Sequence, residues 1–151
     1  MPVLEPHALS LIIRWAHLAA MAVALGGAVL VSALVFTRRS TAGAAVAVAA
    51  AAGYERLFWG AAGVLVMTGI GNLGAFGRGL PFPATGWGET FVVKLWGVVA
   101  LLAISLPRSL IVLRVVSSPA TVDALGILRR AYGATVALLA IIVAVAELLA
   151  H

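Results

Sequence analysis

Two side chains that can take part in chemistry, a histidine and a lysine, each lie about seven residues inside an apolar segment long enough to cross a membrane. His17 lies in the first such segment and Lys94 in the third. Arg14, His17 and Met21 follow i, i+3, i+7 spacing, so they share one stripe of a helix. Titratable groups are costly inside a bilayer and usually mark a pathway or a ligand site. We therefore interpret His17 and Lys94 as the centre of a candidate site.

Further polar and sulfur-containing side chains extend this candidate site. Met67 and Asn72 lie in the second apolar segment and reach the same half of the bilayer as His17. Each residue also has a purely structural interpretation. Arg14 and Lys94 can extend their charged ends to the headgroups, and Asn72, set among glycines, can join closely packed helices.

The composition identifies an integral membrane protein. Of the 151 residues, 64% are hydrophobic and 10% are charged, and the mean hydropathy is +1.16. This length predicts a single transmembrane domain, residues 1–151. The chain has no cysteine, which excludes disulfides, thiolate metal ligands and covalent c-type haem attachment. The net charge of +5 comes from arginines between apolar segments, so it indicates membrane topology and not a nucleic-acid partner.

Four segments are long enough to span a bilayer, and they predict an all-α four-helix membrane bundle. Their predicted bounds are residues 10–36, 54–76, 87–112 and 128–150. An alanine-rich run at 42–52 extends the second helix backwards. Pro107 is predicted to kink or end the third helix, which would leave Arg108 and Arg114 near the water interface.

The arginines also predict the orientation of the bundle. They concentrate in the connections between the first and second and between the third and fourth segments, whereas the remaining connection has only Arg78. The arginine-rich connections should face the cytoplasm, so both termini face outward. His17 and Lys94 then lie at the same depth, roughly 10 Å below the outer surface. We expect a multi-pass protein of a prokaryotic-type inner (plasma) membrane.

A haem and a copper ion are the two groups that this site could bind. Histidine and methionine suit copper, but the chain has three of each, and Arg14 and Lys94 disfavour a metal cation. A haem b fits better because its propionates can pair with those cations while His17 supplies the axial ligand. A sixth ligand would have to come from His7, His151, Met67 or a neutral Lys94. A five-coordinate haem or a bound porphyrin would need none.

Several motifs carry a family resemblance. Residues 14–18 (RWAHL), followed by Gly26-Gly27, resemble the first helix of the copper-resistance protein D (CopD) family. Residues 54–57 (YERL) with 67–69 (MTG), and residues 85–95 (TGWGETFVVKL), are similar to its second and third helices. The layout also resembles that of the HemJ-type protoporphyrinogen oxidases, whose first-helix histidine and third-helix lysine correspond to His17 and Lys94. That resemblance implies haem b binding and oxidation of a porphyrinogen.

These observations predict a haem b- or porphyrin-binding redox protein of the membrane. The expected binding residues are His17, as metal ligand, together with Lys94, Arg14, Met21, Met67 and Asn72. The activity would be that of a porphyrinogen oxidase or an electron-transfer protein, and the partners the lipid bilayer, a redox protein, further copies of the chain or subunits of a complex. The alternatives are copper transport or resistance, and a small structural subunit of a respiratory complex.

Overall fold

The computed structural model describes residues 6–37, 41–75, 86–117 and 122–148, and within these ranges every residue is helical. The helices are α1 (Pro6–Thr37), α2 (Thr41–Ala75), α3 (Gly86–Ser117) and α4 (Val122–Leu148). Side chains are described at positions 8–37, 42–70, 88–117 and 125–148. The predicted all-α bundle is confirmed.

The helices run further than their apolar segments. α2 begins at Thr41, which confirms that the alanine-rich run extends it backwards. α3 continues to Ser117, so the prediction that Pro107 could end this helix is wrong. Proline is tolerated inside apolar helices because neighbouring helices and hydroxyl side chains satisfy the freed backbone groups.

Consecutive helices run antiparallel and form a ring. α1 packs against α2 and α4, and α3 packs against the same two helices, whereas the backbones of the diagonal pairs do not approach each other within the described ranges. Residues 17 and 24 of α1 contact residues 68 and 54 of α2, in reversed order. On α3, Gly97 adjoins Ile142 and Arg108 contacts Thr135. The interior of this ring is where inward-facing side chains of all four helices can meet.

The seam between α1 and α2 is built from small residues. Ala24, Ala28, Ala47 and Ala51 are all buried. A side chain at Gly27 would collide with the Tyr54 ring, since a Cβ there would lie 2.5 Å from Tyr54 Cδ2. Small residues let helices pack closely, which gains van der Waals contact without a hydrophobic driving force in lipid.

The outer surface of the bundle is apolar, as contact with lipid requires. Large exposed hydrophobic side chains occur on every helix, among them Trp15, Leu57, Trp96 and Ile141. Among the residues that the structure describes, three stretches are long and apolar enough to cross a membrane, namely Ala8–Thr37, Gly88–Ser117 and Leu125–Leu148. α2 does not belong to this group and carries Glu55 and Arg56 near its middle, so its membrane crossing stays a prediction, as does the side on which the termini lie.

Candidate functional site

His17 lies on the inward face of α1, seven and eleven residues before the buried Ala24 and Ala28. Its Nδ1 lies 2.8 Å from the Thr68 hydroxyl of α2. That hydroxyl donates its own proton to the Val64 carbonyl at 2.6 Å, so its oxygen is the acceptor toward the imidazole. The neutral imidazole of His17 would therefore carry its proton on Nδ1, and its Nε2 lone pair has no partner among the described residues. This is the arrangement of a histidine that ligates a metal.

Lys94 lies on the inward face of α3, half-buried and seven residues before the buried Leu101. Its ammonium is close enough to act electrostatically on the His17 imidazole. The two residues that the sequence singled out thus lie within electrostatic range of each other, on helices at opposite sides of the ring. A cation near an imidazole attracts a ligand that carries a negative group.

The other predicted binding residues are placed differently. Met21 is half-buried and packs against the core, whereas Arg14 is exposed. Met67 is 76% exposed, on the outer surface of α2, and so points away from the interior in which His17 lies. Asn72 lies in α2, but its side chain is outside the described residues.

A second polar centre occupies the middle of the bundle. Arg108 of α3 is 1% exposed, and its Nε donates to Glu55 Oε1 of α2 at 2.8 Å. Its Nη2 reaches Glu55 Oε2 at 3.2 Å, so the guanidinium holds the carboxylate with two parallel hydrogen bonds. The expectation that Arg108 lies near the water interface is wrong, because this arginine turns inward to a buried carboxylate.

Helices α3 and α4 complete the bonding of this ion pair. Tyr132 Oη donates to Glu55 Oε1 at 2.7 Å, and the Ser109 hydroxyl donates to Oε2. Arg108 Nη1 donates to Thr135 Oγ1 at 2.7 Å, and the guanidinium carbon lies 4.5 Å from the centre of the Phe58 ring. A buried ion pair is tolerated only when its remaining bonding positions are used in this way.

Sequence reasoning missed Glu55 and Arg108 as partners because each was assigned to a helix end. The sequence feature that could have revealed the depth of Glu55 is the alanine-rich run at 42–52, since a helix that begins at Thr41 places Glu55 about 21 Å from its start. A carboxylate at that depth needs a cation at the same depth on a neighbouring helix. The pair lies about 20 Å from the His17 site along α2, measured from Thr68 to Glu55, so the two centres are separate.

The fold and these two centres define a polytopic helical membrane protein. It has a histidine–lysine site toward one end and an ion-pair network at its middle. No protein-family model matches the chain, and comparison with curated proteins and with solved structures gives no match either. The resemblance to the CopD and HemJ-type families accordingly stays a prediction.

Proposed function

We propose that this protein binds a haem b, or a closely related porphyrin, between its helices and uses it for redox chemistry, with His17 as the axial ligand through Nε2. The observation that carries the proposal is the Thr68 hydrogen bond, which holds the proton on Nδ1 and directs the free lone pair away from α2. Ligating histidines characteristically donate their second nitrogen to such a partner, which sets the tautomer and the ring orientation.

The available ligands favour a haem over a copper ion bound by side chains alone. In the part of the chain with described side chains, no three His, Asp or Glu residues come together. A haem brings four nitrogen ligands of its own and needs only one or two from the protein. Lys94, close to His17, suits a propionate, whereas its charge opposes a free metal cation.

The residues have separable roles in this proposal. His17 holds the group, Thr68 orients the imidazole, and Lys94 pairs with a carboxylate of the porphyrin. When bound, the haem supplies one-electron oxidation and reduction, with a potential that its ligands and burial adjust. The electron partner would be a redox protein or a subunit of a complex in a prokaryotic-type plasma membrane, with the site toward the outer surface. If the porphyrin is substrate and not cofactor, the same contacts serve a porphyrinogen oxidase.

The test is an absorption spectrum of the detergent-purified protein, oxidised and dithionite-reduced, from cells supplied with haem. We expect a Soret band and reduced b-type α and β bands in the wild type. All of these bands should be lost in His17→Ala. A colourless wild type, or a full spectrum in His17→Ala, would contradict the proposal, and copper content would then be measured.

A further inference from the structure

A groove on the outside of the bundle runs along the seam between α1 and α2. It has a volume of about 450 Å³ and is open to the outside of the bundle. Ala16, Ala19 and Val23 line it from α1, and Arg56, Gly60 and Val64 line it from α2. We call it the Arg56 groove. Small side chains on both walls allow another helix to approach closely.

Arg56 is the only charged side chain among the residues that line this groove. It is exposed on the outer face of α2 and has no hydrogen-bond or ion-pair partner among the described residues. Its neighbour Glu55 turns inward to Arg108 and is fully used there. Arg56 lies about 22 Å from the start of α2 and about 28 Å from its end, so if α2 crosses the membrane, this cation lies far from either surface. Such a charge is costly unless a carboxylate meets it at the same depth.

We propose that the Arg56 groove binds one transmembrane helix of a different protein, a helix that carries an Asp or Glu at mid-membrane depth opposite Arg56. The small residues receive the helix backbone, and the ion pair sets its depth and selects the partner. This surface lies on the outside of the bundle, whereas His17 faces its interior.

A second copy of the chain does not fit the groove as well. Two copies inserted in the same direction and related by a two-fold axis would place Arg56 against Arg56, and like charges repel. The described carboxylates other than Glu55 are Glu89 and Glu147, near the start of α3 and the end of α4, far from the level of Arg56. A lipid phosphate fits less well too, because phosphates lie at the membrane surface, about 15 Å from the midplane.

The test uses energy transfer between the full-length protein and a synthetic Leu/Ala transmembrane helix in phosphatidylcholine vesicles. The chain has no cysteine, so Leu148→Cys gives one labelling position. Two peptides are compared, with Glu or Gln at the central residue. We expect the Glu peptide to bind at least about tenfold more tightly than the Gln peptide, and Arg56→Gln to abolish that difference.

Two glycines of α2 provide a matched pair of variants. A Cβ at Gly60 or at Gly63 would meet no atom within 4 Å, so a side chain can leave the backbone at either position without a clash at its first atom. Only Gly60 lines the groove. Gly60→Leu should weaken binding of the Glu peptide at least about tenfold, and Gly63→Leu and Arg130→Gln should leave it unchanged.

Several results would overturn the proposal. Equal binding of the two peptides would show that Arg56 does not select a carboxylate. Unchanged binding in Gly60→Leu would show that the peptide does not bind in the groove. Displacement of the peptide by phosphatidylglycerol, with that lipid retained on the wild type but not on Arg56→Gln in native mass spectrometry, would assign the groove to a lipid. A wild-type dimer that Gly60→Leu converts to monomer would assign it to a second copy. The haem proposal is tested separately: if Arg56→Gln keeps the haem spectrum of the wild type, failure of the groove proposal does not contradict haem binding at His17.

Discussion

His17 and Glu55 both face the interior of the bundle, but they differ in what their contacts leave available. Glu55 accepts hydrogen bonds from Arg108, Tyr132 and Ser109, so both of its oxygens are used. His17 has a described partner for Nδ1 alone, and its Nε2 keeps a lone pair for a ligand. The first arrangement holds three helices together, and the second is suited to binding.

Thr68 provides a test of how the imidazole is oriented. Thr68→Val keeps the side-chain shape but removes the acceptor for His17 Nδ1–H, so either nitrogen can carry the proton. We expect the affinity for added haem to fall about 10- to 100-fold, the usual cost of losing such a partner. Spectroscopic titration of the detergent-solubilised protein measures it.

The matched control is Thr68→Ser, which keeps the hydroxyl and should bind haem nearly as the wild type does. If Thr68→Val and Thr68→Ser bind equally well, the hydrogen bond does not orient the ligand.

The ion pair between Glu55 and Arg108 should show strong coupling in a double-mutant cycle. Removal of one partner leaves the other charge buried without compensation, namely Arg108 in Glu55→Leu and Glu55 in Arg108→Met. Either change should cost about 3–5 kcal/mol of unfolding free energy. The double variant should cost much less than the sum, since neither charge remains. Unfolding in mixed micelles with increasing SDS gives the three values.

An exposed arginine serves as the control for this cycle. Arg130→Met changes a side chain without a partner among the described residues, and its unfolding free energy should stay within about 0.5 kcal/mol of wild type. Additive effects of the two buried changes would show that the ion pair contributes little.

The packing of α1 on α2 depends on one close approach. Gly27 faces the Tyr54 ring, and the Tyr54 hydroxyl donates to the Ala24 carbonyl at 2.7 Å, so the ring cannot move away without losing that bond. The centre of the same ring lies 5.8 Å from the centre of the Tyr132 ring, and Tyr132 donates a hydrogen bond to Glu55. Tyr54 therefore links the packing of this seam to the ion-pair network.

Adjacent glycines of α1 allow a matched test of this contact. Gly27→Ala puts a Cβ 2.5 Å from Tyr54 Cδ2 and should destabilise the bundle by about 1–3 kcal/mol. At Gly26 a Cβ meets nothing within 4 Å, so Gly26→Ala should be neutral or stabilising by up to about 1 kcal/mol, from helix propensity. Thermal unfolding in detergent compares them, and equal midpoints would contradict the close packing.

The described ranges of the chain form four helices, so the first and last of their ends share one side if α2 crosses the membrane with the other three. Single-cysteine variants of this cysteine-free chain can test this. Leu9→Cys and Leu148→Cys, both at exposed positions, should react with an impermeant maleimide added to intact cells. Thr37→Cys, at the opposite end, should react only after permeabilisation. Labelling of Leu9→Cys and Leu148→Cys from opposite sides would show that α2 does not cross.

Composition and periodicity by themselves determined the class of protein and its elements. Long apolar segments separated by charge or by Gly and Pro predict membrane helices, because backbone groups in lipid must be hydrogen-bonded within the segment. The inward placement of His17 and Lys94 also followed from sequence, since a titratable side chain in mid-segment is too costly to leave facing lipid.

Only the tertiary structure decided which polar side chains meet. In the sequence Arg108 follows Pro107 late in the third apolar segment, and nothing local distinguishes an arginine that reaches water from one paired with Glu55, 53 residues away. Thr68 and His17 are likewise 51 residues apart, so the tautomer of the imidazole depends on how α1 and α2 align. Pairing between helices depends on the order, register and rotation of the packed helices, and a one-dimensional pattern contains none of these directly.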